Sequence, residues 1–246
     1  MYKIHTNQSA QGNMNEPWTD GPRELLQHAA THLGMGADFD RRIAMISIDN
    51  AVELAIKTYI GLPKRSRGTD GPTRKELEAA NESFPELLDL LNRYYDDKLT
   101  GVDLGDVEWY HRLRNLLYHS GNGITVNRAR VEAYFQIALA LFENLFGFVP
   151  SIDGKTAIRT KTGEFLQLWT NFDQSLRMKL PPKNGLAYYW KKEFLEGVST
   201  EAASLWVALT EFRNKLVHSV ATDDPEDLDR SIRDVSRLIG ILEQHT

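Results

Sequence analysis

Residues 37–60, ADFDRRIAMISIDNAVELAIKTYI, indicate the fold class of this protein. Their apolar side chains recur at spacings of three or four residues, which places them on one face of a helix but not of a strand. The side chains that set this period are Phe39, Ile43, Ile46, Val52, Ile56 and Tyr59. The stretch therefore predicts one long amphipathic helix.

The same period continues on both sides of this stretch. It predicts helices over residues 22–33, 74–95, 107–119, 131–145, 164–178 and 200–218, and a last helix with Asp224 as its cap and Pro225 in its first turn. Segments rich in glycine or proline separate them, at residues 61–75, 120–123 and 181–185. No segment alternates as a strand does, so the predicted fold is all-α.

Composition narrows the functional classes. The net charge of −5 argues against a chain that holds nucleic acid by overall positive charge, so any RNA contact must be local. The absence of cysteine excludes disulfides, thiolate nucleophiles and cysteine-ligated zinc, and it fits a reducing compartment. Without a signal sequence or an apolar run long enough to span a membrane, we expect a cytoplasmic protein with no membrane partner.

The chain is long enough for two small domains. The segment GFVPSIDGKTAIRTKTG, which contains three glycines and a proline, is the best boundary between them. We expect a flexible amino-terminal arm over residues 1–20, a first helical domain over 21–150 and a second over 160–246. Both halves contain a long helix with an acidic residue, a helix that ends in arginine and histidine, and a closing amphipathic helix, which predicts an internal duplication.

The two halves share a short motif. It is RNLLYHS at residues 114–120 and RNKLVHS at residues 213–219, so Arg114, Asn115 and His119 correspond to Arg213, Asn214 and His218. On a helix, Asn115 and His119 share a face, whereas Arg114 lies about 140° away from His119. One copy alone makes a poor active site, but two copies related by a pseudo-twofold axis would place two imidazoles and two guanidiniums around one cleft.

This motif resembles that of the HEPN superfamily, in which an arginine, a polar residue and a histidine follow one another at this spacing. The segment IDNAVELAIKTYIGLP is similar to the first core helix of that family, where an acidic residue often faces the site. The resemblance implies two HEPN-type bundles, with Glu53 as that acidic residue and Asp173 as its counterpart. A solvated salt-bridge stripe of Asp49, Glu53 and Lys57 explains Glu53 equally well.

The resemblance and the chemistry point to the same reaction. Two histidines can act as base and acid in RNA cleavage by the 2′-hydroxyl, while two arginines bind the phosphate oxygens, and neither a metal nor a cofactor is required. We expect an endoribonuclease acting on single-stranded or looped RNA, as a toxin or an antiphage effector. Its expected catalytic residues are Arg114, His119, Arg213 and His218, supported by Asn115, Asn214, Glu53 and Asp173.

Two questions stay open at the level of sequence. The site can close within one chain or across a homodimer, and an antitoxin or another regulatory protein would be a further partner. The alternative function is a non-catalytic helical module that binds RNA or protein.

Overall fold

A computed structural model describes residues 16–119, 125–152, 161–180, 187–218 and 225–245. Within these ranges the regular structure consists of α-helices and two short 3-10 helices, with no strand, which confirms the all-α prediction. Five predicted features lie wholly or partly outside the described residues: the amino-terminal arm, the turn at 120–123, the domain boundary at 147–163, the break at 181–185 and the Asp224 cap. None of the described helices is both long and apolar enough to cross a membrane.

The first half of the chain contains seven α-helices within the described residues. They are α1 Asp20–Met35, α2 Asp38–Gly61, α3 Lys64–Arg67, α4 Arg74–Ala80, α5 Phe84–Tyr95, α6 Leu104–His119 and α7 Arg128–Phe146. The 3-10 helix Pro17–Thr19 precedes α1, and a second one, Asp96–Lys98, follows α5. Glycines in the left-handed conformation end α1 at Gly36 and α7 at Gly147, where their missing side chain avoids a steric penalty.

The second half contributes four more described helices. They are α8 Lys161–Lys179, α9 Ala187–Val198, α10 Thr200–His218 and α11 Pro225–Gln244. Of these, α10 has the bounds that the sequence predicted, and α9 was not predicted. The sequence of α9 contains a charged run at Lys191 and Lys192, yet Leu195 of the same helix is fully buried.

One helix predicted as continuous over residues 74–95 is broken in two. Helix α4 begins with a capping box, in which Thr73 and Glu76 exchange hydrogen bonds between side chain and backbone, and it ends at Ala80. Helix α5 begins anew at Phe84, with Pro85 in its first turn. Because a proline lacks the amide proton and clashes with the preceding turn, Pro85 is tolerated only at a helix start.

Two hydrophobic clusters form the core. The first draws on α1, α2, α5, α6 and α7, and the second on α8, α9, α10 and α11. Two residues cross between them: Val217, from the end of α10, belongs to the first cluster, and Ala133, from α7, belongs to the second. Helix α7 packs against α2 on one side and against α8 and α10 on the other. The end of α10 is therefore placed by residues of the first half.

Candidate functional site

Arg114, the first motif arginine, is held by carboxylates of α2. Its Nε donates to Asp49 Oδ2 at 2.6 Å, and its Nη2 donates to Glu53 Oε2 at 3.3 Å. The remaining terminal nitrogen, Nη1, donates to the side-chain oxygen of Asn115 at 2.9 Å. Glu53 also accepts from Lys57 at 2.7 Å, but Asp49 is fully buried, so only the Glu53–Lys57 part of the expected solvated stripe is present. The guanidinium of Arg114 is thus largely engaged within the protein.

Asp49 is the centre of this cluster, and the sequence motif did not identify it as the main partner of Arg114. Its side chain is fully buried. Besides Arg114 it binds His111 Nδ1 at 3.0 Å and accepts a hydrogen bond from the Tyr134 hydroxyl at 2.8 Å. His111 also stacks on the ring of Phe84. The available signal was the position of Asp49 inside an apolar stretch of α2, where an unpaired carboxylate would be costly.

In the described part of the chain, one cluster of side chains could supply metal ligands: Asp49, Glu53 and His111. One ligand atom from each lies within 4.8 Å of the others. However, Arg114 already binds both carboxylates. A metal ion here would therefore have to displace a guanidinium, so the donor set fits an ion pair better than a cation site.

His119, the first motif histidine, is the last residue of α6 and is exposed. Its ring lies edge-on to that of Tyr118, with the centroids 5.5 Å apart. Leu116 and Tyr118 are also exposed on this last turn. The imidazole of His119 is therefore accessible to solvent.

Arg213, the second motif arginine, is buried, with only 6% of its side chain exposed. Its Nη2 forms an ion pair with Asp106 of α6, and its Nη1 lies 3.4 Å from the side-chain oxygen of Asn214. Its Nε has no hydrogen-bond partner among the described residues. Asp106 therefore has the role toward Arg213 that Asp49 has toward Arg114.

The same carboxylate also holds His218. The Nε2 atom of His218 lies 2.8 Å from Asp106 Oδ1, and the imidazole is partly exposed. Three further groups of the first half fix the end of α10. The Tyr110 hydroxyl donates to Val217 O at 3.2 Å, Arg130 Nη2 donates to His218 O at 2.7 Å, and the Trp109 ring meets the His218 ring edge-on.

The four expected supporting residues differ in whether they contact a motif arginine. Asn115 contacts Arg114 and Glu53 contacts Arg114, as described above. Asn214 is exposed beside Arg213. Asp173 instead binds Arg177, Lys191 and the amide of Gly101, and no contact between Asp173 and Arg213 is present in the described structure. The acidic partner of Arg213 comes from the other half of the chain.

An open cavity of about 360 Å³ lies beside His218. It is lined by Asp103, Gly105, Asp106, Glu108, Trp109, Arg112, Asn214 and His218. This cavity gives a ligand access to the imidazole that Asp106 orients. A carboxylate bound to one ring nitrogen fixes the tautomer and orientation of a histidine, which is what proton transfer at the other nitrogen requires.

The two motifs do not meet within one chain. Asp106, which binds both Arg213 and His218, lies near the start of α6, whereas His119 is the last residue of the same helix. This separation is more than three helical turns, a rise of about 20 Å. The two imidazoles therefore cannot contact one phosphate in the same protomer.

Two buried tyrosines connect the two clusters. The rings of Tyr110 and Tyr134 stack with centroids 4.2 Å apart. Tyr134 donates to Asp49 in the first cluster, and Tyr110 donates to the backbone beside His218 in the second. Burial raises the pKa of both hydroxyls, and the negative charges of Asp49 and Asp106 raise the pKa of Tyr134 and of Tyr110 further. Both tyrosines therefore remain neutral donors.

Comparison with known proteins does not assign a family. No protein-family model matches the chain, and neither the curated proteins nor the solved structures include a match to it. A functional assignment therefore depends on the motifs and on the geometry described above.

Proposed function

We propose that the protein is a metal-independent endoribonuclease of the HEPN type, built from two helical bundles that arose by internal duplication. The observation that carries this proposal is the hydrogen bond between His218 and buried Asp106 at the edge of an open cavity. It is supported by the parallel arrangement of Arg114 and Arg213, each of which is ion-paired to a buried carboxylate.

The reaction uses groups that these residues can supply. A neutral histidine removes the proton of the 2′-hydroxyl, and the 2′-oxygen attacks the adjacent phosphorus. The bond from phosphorus to the 5′-oxygen breaks, and a protonated histidine donates its proton to that oxygen. The products are a 2′,3′-cyclic phosphate and a 5′-hydroxyl. DNA lacks the nucleophile and is not cleaved.

The proposed composite site requires two copies of the chain. Since His119 lies about 20 Å along α6 from the carboxylate that holds His218, one protomer cannot supply both the acid and the base for one phosphate. We therefore propose a homodimer in which His119 of one protomer faces His218 of its partner. Exposed Leu116 and Tyr118, beside His119, provide apolar surface at the proposed contact.

The resemblance to HEPN proteins suggests the biological setting. We propose a cytoplasmic toxin or antiphage effector that acts on single-stranded or looped RNA and is restrained by an antitoxin or another regulatory protein. The exposed position of His119 fits a site that a partner can cover.

The test is cleavage of single-stranded RNA by purified protein in EDTA. We expect cleavage with 2′,3′-cyclic phosphate ends, and a loss of about 100-fold or more in His119→Ala and in His218→Ala, because each removes a proton-transfer group. His245→Ala is the matched control, since His245 is exposed near the carboxyl terminus. Cleavage that EDTA abolishes, or that neither substitution reduces, contradicts the proposal.

A second function is favoured by one observation. The guanidiniums of Arg114 and Arg213 are already neutralised by carboxylates, and acidic side chains line the cavity at His218. Such an arrangement suits a non-catalytic helical module in which the motifs only join helices, and RNA or a protein partner would bind elsewhere on its surface. RNA binding without cleavage, together with lower stability of the arginine variants, would favour this alternative.

A further inference from the structure

A second and larger cavity, of about 480 Å³, lies between the two halves of the chain. One side is formed by α5, α6 and the segment between them, and the other by α8, α9 and α10. It shares Asp103, Gly105, Glu108 and Asn214 with the cavity at His218, so the two are adjacent. Its volume is in the range of small-molecule sites.

The wall contributed by α8, α9 and α10 is cationic. Arg177, Lys191 and Arg213 line it, and Asp173 is its one acidic member among the described residues. Burial would raise the pKa of Asp173, but the charges of Lys191 and Arg177, together with hydrogen bonds from Lys191 and the Gly101 amide, hold this pKa below its usual value. The carboxylate therefore stays ionised and is shared by Lys191 and Arg177, which leaves one of their two positive charges unbalanced, whereas Arg213 is balanced by Asp106.

One group of this wall lacks a partner. Arg213 is more than nine-tenths buried, and its Nε donates no hydrogen bond within the described structure. A buried donor without an acceptor costs free energy of about 1–3 kcal/mol.

Aromatic surface and carboxylates complete the cavity. Trp169 and Trp206 line it, and Trp169 is partly exposed, so a planar ring can stack on it. The opposite wall, from α5, α6 and the segment between them, is acidic, with Asp89, Asp96, Asp103 and Glu108. Asp89 and Asp96 are exposed. The cavity thus places cations and an indole on one side and carboxylates on the other.

We propose that this cavity binds the nucleotide next to the cleaved phosphate and that it prefers guanine. A nucleotide combines an anionic phosphate, which suits Arg177 and Lys191, with a planar base, which suits Trp169. Guanine presents two adjacent donors, N1–H and N2–H, that match the two oxygens of a carboxylate, whereas uracil presents mainly acceptors. This inference rests on the proposed ribonuclease function, and the residues that it assigns to the nucleotide, Arg177, Lys191 and Trp169, lie outside the proposed catalytic set.

Calorimetric titration with mononucleotides tests the inference without any cleavage. We expect 5′-GMP to bind about tenfold more tightly than 5′-UMP, the discrimination that one bidentate contact provides. Guanosine and inorganic phosphate, titrated separately, should each bind more weakly than 5′-GMP, because each lacks one of the two contacts.

Matched variants assign the contacts. Lys191→Gln should weaken binding of 5′-GMP and 5′-UMP alike, whereas Lys192→Gln, whose lysine pairs with Glu196 outside the cavity, should not. The double variant Asp89→Asn, Asp96→Asn should reduce the preference for guanine, and Glu86→Gln, on the same helix as Asp89 but outside the cavity lining, should not. Because Asp89 and Asp96 are exposed, their substitution leaves the core unchanged.

Each outcome separates the two proposals. Binding of 5′-GMP, with the expected preference over 5′-UMP, by a protein that cleaves no RNA supports a guanine-nucleotide site in this cavity, but it refutes the ribonuclease and with it the position next to a cleaved phosphate. Cleavage without guanine preference, in a protein that does not bind 5′-GMP, supports the ribonuclease and overturns this inference. Inorganic phosphate that binds as tightly as 5′-GMP reduces the cavity to an anion site and also overturns it.

Discussion

Asp106 shows how much the second motif depends on a single residue. It is nearly fully buried, and it neutralises Arg213 while it orients His218. It lies outside the repeated motif and in the other half of the chain, so the motif pattern did not point to it. An arginine that is more than nine-tenths buried needs such a partner, because an uncompensated buried charge is strongly destabilising.

We expect Asp106→Asn to lower the free energy of unfolding by about 3 kcal/mol, since it leaves Arg213 buried without a counter-charge. Urea denaturation measures the change, with Asp97→Asn as the exposed control from the neighbouring 3-10 helix. Equal stability of the two variants would show that Arg213 does not need the carboxylate.

Asp173 leads to a prediction about acid stability. Its pKa lies below the ordinary 3.8 in the folded protein, despite burial, because Lys191 and Arg177 stabilise the carboxylate. A lowered pKa gives stability that is present above pH 3.8 and is lost as the pH falls toward the folded pKa. We expect Asp173→Asn to be less stable than wild type at pH 7 and to lose less stability between pH 5 and 2. If the unfolding free energies of Asp173→Asn and wild type fell by the same amount between pH 5 and 2, the prediction would be contradicted.

At the scale of elements, α6 connects most of the features described above. Near its start it provides Asp106 to α10, in its middle Tyr110 stacks on Tyr134 of α7, and Arg114 further along pairs with α2. The two tyrosine hydroxyls link α2, α7 and the end of α10 to this helix. Helix α6 thus supplies polar links between the two halves, beside α7, which packs against α8 and α10.

The tyrosine pair predicts alkaline sensitivity. The pKa values of Tyr110 and Tyr134 are raised by burial, so both stay protonated in the folded protein and ionise after unfolding. Their contribution to stability is full below the ordinary pKa of 10.0 and is lost as the pH rises above it. We expect Tyr134→Phe to cost about 1–2 kcal/mol at pH 7, because Asp49 loses a donor, and to flatten the decrease above pH 10. Identical pH profiles for the variant and wild type would refute the assignment.

At the scale of the whole molecule, the two halves have separate apolar clusters that exchange single residues. Val217 enters the first cluster and Ala133 enters the second. This exchange positions the end of α10 against α6, and it leaves His119 at the far end of the same helix. The arrangement brings one motif to the interface of the halves and leaves the other at the surface.

This geometry predicts a dependence on assembly. If His119 and His218 act on one phosphate across two protomers, specific RNA cleavage should rise with protein concentration, because the active species is a dimer. Mixing His119→Ala with His218→Ala should restore part of the activity, since a mixed dimer keeps one intact composite site. A monomer with constant specific activity, or a mixture as inactive as its components, would refute the two-chain site.

The predicted helices agree with the structure where their cause lies in neighbouring residues. Amphipathic spacing within 37–60 and 200–218 depends only on neighbouring residues, so the corresponding helices were predicted closely. The helix break before Pro85 was not predicted, although a proline inside a helical pattern is a signal for it. Helix α9 was not predicted because its sequence contains a charged run, and the burial of Leu195 depends on packing against other helices.

What the sequence alone determined is the helical class and the presence of two Arg/His motifs. Only the tertiary structure decided which carboxylates they meet. Asp49 lies 65 residues from Arg114 along the chain, and Asp106 lies in the opposite half from Arg213. Helical periodicity is a property of adjacent residues, whereas an ion pair between distant residues depends on how whole helices pack. For this reason the partner of Arg213 is Asp106 and not Asp173.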